Sequence, residues 1–188
     1  MPTNTPSENN ENIIIQKTKS WLEKIVIGLN LCPFAKSVFI KNQIRFAVTL
    51  TTSKKELGQI LTSEFDLLLN LEKEKTETTL LIIPNLFPRF LDFNDYLAEA
   101  EERLGKANLE GVLQIASFHP DYQFAGRKPD DPANFVNRSP YPILHLLREE
   151  SIEEVVEHYP NIDDIYPNNI QTLRNLGIEA WKSLQDEP

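Results

Sequence analysis

Residues 44–83, IRFAVTLTTSKKELGQILTSEFDLLLNLEKEKTETTLLII, decide the predicted fold. The run from Ile44 to Leu50 is rich in β-branched and aromatic residues, as expected for a strand. Ser53 to Leu71 carries apolar residues at helical spacing. Thr79 to Ile83 is a short continuous apolar run, which is typical of a strand covered on both faces. This stretch therefore predicts a strand–helix–strand unit.

Two further elements extend this unit toward the C-terminus. Phe93 to Leu104 has helical periodicity, with Asp92 in the position of a cap. Gly111 to Phe118 has the composition of another strand. Strands that alternate with helices favour right-handed crossovers between parallel neighbours. We therefore expect an α/β fold with a small, mostly parallel or mixed sheet of about three strands and crossover helices. A split-βαβ sheet with an antiparallel member is the alternative.

The N-terminal part is expected to be a polar tail followed by helices. Residues 1–12 are predicted to be disordered, which leaves residues 13–188 as one α/β domain. Apolar residues then recur at helical spacing from Ile14 to Leu29. Proline is favoured at the first position of a helix, so a second helix is predicted over Pro33–Ile40 with Cys32 at its N-cap.

A long irregular segment follows the third predicted strand. Residues 119–139 show no periodicity, and structureless segments of this length are usually functional or disordered. Ser139 and Pro140 provide a cap and a first-turn proline, so a helix is predicted from Pro140 to about Glu149.

The C-terminal part is predicted to be helical. The helix that continues from Glu149 is expected to end at Tyr159–Pro160. A last helix is expected to open at Asn168 or Asn169 and to contain Gly177.

Composition and charge exclude several functional classes. One cysteine rules out an internal disulfide, and no apolar run is long enough to span a membrane. The formal net charge is −9, and residues 148–188 hold ten acidic and three basic residues, a net of −7. An acidic chain is a poor match for nucleic acid, which needs clustered cations. We expect a soluble cytoplasmic protein that binds neither nucleic acid nor membrane.

Cys32 is the first candidate for chemistry. A thiol at a helix N-terminus is favoured as the thiolate, and Lys36 one turn later would add to this effect. The alternative is a small buried hydrophobe between Leu31 and Phe34. Single-cysteine thioredoxin-like proteins share the Cys-Pro-Phe step, but a strand precedes their cysteine, whereas a helix is predicted here.

His119 directly follows a predicted strand, where α/β sheets usually bind ligands. Its imidazole would serve as an acid, a base or a metal ligand. The alternative is a histidine that is bonded to the backbone of its own loop.

The block from Asn137 to Pro142 predicts an anion site. A helix that starts at Pro140 would present free N–H groups near Asn137 and Ser139, with the Arg138 guanidinium beside them. His145 and Glu149 are four residues apart and would share a face of that helix.

Two functional hypotheses follow from these residues. The leading one is an enzyme that acts on a small anionic metabolite, by thiol-based group transfer or redox chemistry. Its catalytic residues would be Cys32, His119 and His145, and its binding residues would be Arg138, Asn137, Ser139 and Lys36. If the cysteine and both histidines converge, they are also potential zinc or iron ligands. The alternative is a non-catalytic anion- or peptide-binding module with a structural cysteine, and a third possibility treats the loop as a lid over an ordinary core. Cofactors and oligomeric state stay open.

Three blocks of sequence resemble a known family. They are LNLCPFAK (29–36), LEGVLQIASFHPDYQFAG (109–126) and NRSPYPILHLLREES (137–151). They are similar to a bacterial and plastid family of proteins of unknown function, family fourteen-fifteen among such domains. The resemblance implies a stand-alone soluble domain and no assigned activity.

Overall fold

A computed structural model of the protein describes residues 6–158 and 161–186. The helices are α1 (Pro6–Trp21), α2 (Ala35–Ile40), α3 (Lys54–Asn70), α4 (Phe90–Lys106), α5 (Glu149–His158), α6 (Ile165–Leu176) and α7 (Ile178–Asp186). A π-helix (Leu22–Ile27) continues α1, and 3₁₀-helices cover Pro132–Asn137 and Ile162–Asp164. The strands are β1 (Ile44–Val48), β2 (Thr78–Ile82), β3 (Leu113–Phe118) and β4 (Ile143–Arg148).

The four strands form one mixed sheet in the order β1-β2-β4-β3. β1 and β2 are parallel and are joined by the crossover helix α3. Helix α4 joins β2 to β3, and β4 lies between these two strands and antiparallel to both. The sheet is therefore the split-βαβ alternative, and the predicted α/β class is confirmed.

The extra strand corrects one prediction. Residues 143–148, which were predicted as part of a helix starting at Pro140, form the antiparallel strand β4. The prediction was wrong because the spacing of Ile143, Leu146 and Leu147 fits a helix as well as it fits an apolar strand. Pairing with β2 on one side and β3 on the other decides the outcome.

The two ends of the chain also differ from the prediction. Helix α1 begins at Pro6, so residues 6–12 are helical, while the rest of the predicted tail lies outside the described residues. The predicted helix end at Tyr159–Pro160 lies outside them as well. Gly177 has a φ of 79° and separates α6 from α7, where one continuous helix was predicted. Glycine adopts this left-handed conformation without steric cost.

Helix α3 begins as its sequence predicts. The Ser53 side chain accepts a hydrogen bond from the Glu56 N–H, at 3.4 Å. The Glu56 carboxylate in turn accepts from the Thr51 hydroxyl at 2.6 Å. Cap and first turn are thus fixed to the end of β1.

Two hydrophobic clusters cover the two faces of the sheet. The first lies between the sheet and helices α3 and α4, and includes Leu57, Phe65, Leu81, Phe93 and Leu144. The second lies under α1, the π-helix, α6 and α7, and includes Trp21, Ile25, Ile82, Ile143 and Trp181. Helices therefore pack on both faces of the sheet, and loops lie at the ends of the strands. Within the described ranges, no helix is both long and apolar enough to cross a membrane.

Candidate functional site

Three loops form a cleft at the end of the sheet where β1, β2 and β3 terminate. Because these three strands are parallel, their carboxyl ends lie together along this side of the sheet, beside the amino end of β4. The cleft has a volume of about 280 Å³. Residues 84–88 line it after β2, residues 119–121 after β3 and residues 140–142 before β4. Open α/β sheets bind ligands at such edges, and we call this space the carboxyl-edge cleft.

His119 is a buried part of the cleft wall. Its Nδ1 accepts the N–H of Asp121 at 3.0 Å, so the hydrogen is on Nε2, which donates to the Phe87 carbonyl oxygen at 3.0 Å. The rings of Phe90 and Phe93 lie 5.6 and 5.4 Å from the imidazole. Burial lowers the pKa of His119, against the hydrogen bond to Phe87 and the charge of Asp121. The imidazole is thus bonded to the loop backbone, as in the second of the two sequence-based alternatives.

The Arg138 side chain is half-buried in the loop of residues 119–139, near enough to Asp121 of the cleft lining to interact with its charge. Its Nε donates to the Tyr122 carbonyl oxygen at 3.3 Å, and its Nη2 donates to that of Pro129 at 2.7 Å. The guanidinium carbon lies 4.7 Å from the centre of the Phe135 ring. Burial lowers the pKa of Arg138, and the negative charge of Asp121 opposes that shift. No carboxylate of residues 6–158 or 161–186 forms an ion pair with Arg138.

Asn137 and Ser139, the sequence neighbours of Arg138, bond to backbone carbonyls and do not lie at the start of a helix. Since no helix starts at Pro140, the row of free N–H groups expected there is absent from the described structure of this segment. Asn137 Nδ2 donates to the Ser117 carbonyl oxygen at 3.1 Å. Ser139 is buried, and its hydroxyl donates to the Tyr141 carbonyl oxygen at 2.6 Å. Their predicted role in substrate binding stays a prediction.

Residues 119–139 form an ordered loop that is closed by its own side chains. Asn134 is buried, and its Oδ1 accepts from the Phe124 N–H while its Nδ2 donates to the Lys128 carbonyl oxygen. Asp131 caps the following 3₁₀-helix by accepting from Ala133 N–H, and it pairs with Arg127 at 3.2 Å. These bonds satisfy local backbone groups, as Asx residues commonly do in loops.

A second cation, Lys54, contacts a residue of the cleft lining. The Lys54 ammonium lies 5.5 Å from the centre of the Phe87 ring, which lines the cleft. The nearby Arg89 guanidinium, unlike Lys54, is paired with a carboxylate, because it donates two hydrogen bonds of 2.8 and 2.7 Å to Asp92. Asp121 is the carboxylate that lines the cleft itself. Lys54 and Arg138 are therefore cations near the lining, whose own ionisable groups are His119, Tyr141 and the Asp121 carboxylate.

His145 lies in the sheet, away from the cleft. Its Nε2 is 2.7 Å from the Thr78 hydroxyl oxygen, and that hydroxyl donates its own hydrogen to the Leu146 carbonyl oxygen at 2.6 Å. The imidazole Nε2 must therefore be the donor. Burial lowers the pKa of His145 to about 4. The predicted contact with Glu149 on a helix face is wrong, because His145 is in a strand.

Cys32 packs against the second hydrophobic cluster. It precedes α2 by three residues, since the helix begins at Ala35 and its N-cap is Phe34. Burial raises the pKa of the thiol from 9.0, although hydrogen bonds from the Phe34 and Ala35 backbone act in the opposite direction. Lys36 is exposed. The surroundings therefore disfavour the thiolate, in contrast to the sequence-based expectation.

The predicted catalytic residues lie in different parts of the fold. His119 contacts Phe93 of the first cluster, whereas His145 contacts Phe118, which packs on the second. The two imidazoles thus lie toward opposite faces of the sheet. Across the described portion of the chain, no three His, Cys, Asp or Glu side chains are grouped as a metal site.

Trp21 and Asn134 are two site-supporting residues that sequence reasoning missed. The indole N–H of Trp21 donates to the Arg138 carbonyl oxygen at 2.9 Å, across 117 residues of sequence. No local pattern signals that contact. Asn134 does leave a trace, because an asparagine beside aromatic residues in a long loop is a candidate for local backbone bonding.

Fold and cleft together define a single mixed α/β domain with loops gathered at the carboxyl edge of its sheet. Residues 13–183 match the family described as proteins of unknown function, DUF1415, and the chain belongs to that family. Neither the curated proteins nor the solved structures contain a match to this chain.

Proposed function

We propose that this domain binds a small anionic molecule in the carboxyl-edge cleft without transforming it. The observation that carries the proposal is the half-buried Arg138 guanidinium, which interacts with the charge of Asp121 in the cleft lining, has two carbonyl partners and forms no ion pair with the described residues. A partly buried cation that has no ion-pair partner attracts a further counter-charge. An anionic ligand would supply it through a charge-assisted hydrogen bond.

The position of the cleft supports the same proposal. The cleft lies at the carboxyl ends of parallel strands, where ligands enter α/β sheets. Lys54, which contacts the Phe87 ring of the lining, adds a second cation, and Asp121 is the carboxylate that limits how much negative charge fits. A volume of about 280 Å³ suits a small molecule rather than a macromolecule.

Binding without catalysis is favoured over the enzyme hypothesis by the protonation state of the reactive groups. Both nitrogens of His119 are bonded to backbone groups, so the imidazole has no free nitrogen for proton transfer. The Cys32 thiol has a raised pKa and lies in the second cluster rather than in the cleft lining.

Inorganic phosphate and acetate are suitable probes for the site. ¹⁵N-resolved NMR titrations should show saturable shifts at the backbone amides of His119, Asp121 and Tyr141, which line the cleft. The variant R138Q should weaken phosphate binding about tenfold, because it removes a charge-assisted hydrogen bond. The exposed Lys128 in the same loop provides the control K128Q, which should stay within about twofold of the wild type.

The same titration can contradict the proposal. Equal weakening by R138Q and K128Q would mean that general charge, not the Arg138 site, attracts the anion. If R138Q fails to fold, K54Q replaces it, since Lys54 makes a ring contact with Phe87 and belongs to no loop bond described above. Absence of any shift in the folded wild type would overturn anion binding altogether.

A further inference from the structure

A second cavity lies between the turn after the π-helix and the start of α6. Its volume is about 330 Å³. Asn30 and Pro33 line it on one side, and Asn161, Asp164, Ile165, Asn168 and Asn169 line it on the other. Asn169 Nδ2 donates to the Leu31 carbonyl oxygen at 2.7 Å, which joins the two sides across 138 residues of sequence. We call this space the amide cavity.

The amide cavity is lined mainly by neutral polar side chains. Four of its seven lining residues carry carboxamides, and Asp164 is the single ionisable one. Pro33 and Ile165 supply the apolar part. A carboxamide both donates and accepts hydrogen bonds and has no net charge.

Asn169 offers a hydrogen-bond acceptor to the amide cavity. Its side chain belongs to a residue that is only 6% exposed, and the bond to Leu31 uses the amide nitrogen alone. The bond to Leu31 leaves the carboxamide oxygen unused, and this oxygen is not among the fully buried side-chain atoms of the described residues that lack a partner. It is an acceptor on the cavity lining, to which a ligand hydroxyl would donate.

The charges around the amide cavity narrow the class of ligand. An anion would meet the Asp164 carboxylate and the adjacent exposed Asp163. A divalent cation would find one carboxylate, and the chain as described offers no group of three acidic, histidine or cysteine ligands. Hydroxyl groups match the lining best, because each donates and accepts as a carboxamide does.

We propose that the amide cavity binds a neutral polyhydroxylated small molecule, of the sugar or polyol class. Vicinal hydroxyls would donate to the Asp164 carboxylate and to the free Asn169 oxygen. They would accept from the amide groups of Asn161 and Asn168. Pro33 and Ile165 provide the apolar contact for the carbon ring. The volume is near the lower end of the range of about 300–1,000 Å³ for small-molecule sites, which suits one ring. This site is independent of the anion site proposed for the carboxyl-edge cleft.

The test uses D-glucose and myo-inositol as separate probes of the full chain. Side-chain carboxamide signals in ¹⁵N-resolved NMR spectra should shift in a saturable way for Asn168 and Asn169 with at least one probe. The variant D164A should weaken that binding about tenfold, because two hydroxyl donors lose their acceptor. The control N175A removes an exposed carboxamide from the same helix and should leave binding unchanged.

Each outcome of this titration decides the matter. Saturation that is lost in D164A and kept in N175A supports the site. Equal behaviour of the two variants, or no shift with either probe, overturns it. Calcium chloride and sodium phosphate serve as comparison probes, and saturable shifts of the same carboxamides with either of them but not with the polyols would also overturn the assignment. Asn169 itself is left intact because its bond to Leu31 helps to hold the fold.

Discussion

His119 and His145 are both held as neutral imidazoles by partners that fix one tautomer. In His119 both nitrogens bond to backbone groups of the cleft wall. In His145 one nitrogen donates to the Thr78 hydroxyl inside the sheet. Protonation would place a charge in a buried site, so these residues tie stability to pH.

The pH dependence of stability should reveal His145. Its pKa is about 4 in the folded chain, against 6.5 without burial, so the unfolded state binds the proton first as pH falls. The stabilisation is complete above pH 6.5 and is lost between pH 6.5 and pH 4. The free energy of unfolding of the wild type should fall in this window by on the order of 2 kcal/mol more than that of H145Q. Urea denaturation at several pH values measures both, and parallel curves would contradict the assignment.

Cys32 should behave as a shielded thiol. Burial raises its pKa above 9.0, so the fraction of thiolate at neutral pH is smaller than in a free cysteine. Alkylation by iodoacetamide should therefore be slow in the folded protein and should reach its half-maximal rate above pH 9.0. The control is the same reaction in urea, where the rate should match that of a model thiol. Rapid alkylation of the folded chain at pH 6 would restore the thiolate hypothesis.

At the scale of elements, β4 is the strand that local sequence patterns failed to predict. Strands β1, β2 and β3 and helices α3 and α4 follow from local periodicity, because each has one clear apolar pattern. The run ILHLLR fits helix and strand alike, and its place between β2 and β3 depends on long-range pairing. Pro140 and Pro142 did carry a signal, since a residue before proline favours extended backbone.

The candidate site was harder to predict than the fold. Strand order follows from rules that apply to many chains, whereas the contacts of Arg138 depend on the carbonyl oxygens of Tyr122 and Pro129 and on the indole N–H of Trp21. Such contacts join distant segments and leave no spacing pattern in the sequence. The position of His119 after a strand was predictable, but its hydrogen bond to Phe87 was not.

Arg148 at the end of β4 anchors the carboxyl end of α3. One of its guanidinium nitrogens donates to the carbonyl oxygens of Leu68 and Leu71 at 2.6 and 2.9 Å. These carbonyls end a helix and lack intrahelical partners, and they attract a cation. The variant R148M should lower the free energy of unfolding by about 3 kcal/mol, because buried carbonyls lose their donor. Exposed Lys106 supplies the control K106M, which should change stability by less than about 0.5 kcal/mol. A small effect of R148M in urea denaturation would mean that water replaces the guanidinium.

At the scale of the whole molecule, the sheet couples two hydrophobic clusters that share no helix. Leu81 and Leu144 belong to the first cluster, and Leu80 and Ile143, their neighbours in the same strands, belong to the second. Since β2 and β4 face both clusters, loss of one cluster would expose half of each central strand. The two halves are therefore expected to unfold together as one cooperative unit.

Tryptophan fluorescence tests this coupling, because Trp21 and Trp181 both lie in the second cluster. The variant L57A creates a cavity in the first cluster only, where Leu57 is fully buried, and should cost about 3 kcal/mol. If the clusters are coupled, the urea midpoint from tryptophan fluorescence should fall by the same amount as that from far-ultraviolet circular dichroism. L91A, at an exposed position on α4, should move neither midpoint. A fluorescence midpoint that stays at the wild-type value in L57A would show that the second cluster unfolds alone, and the sheet would then not transmit stability between its faces.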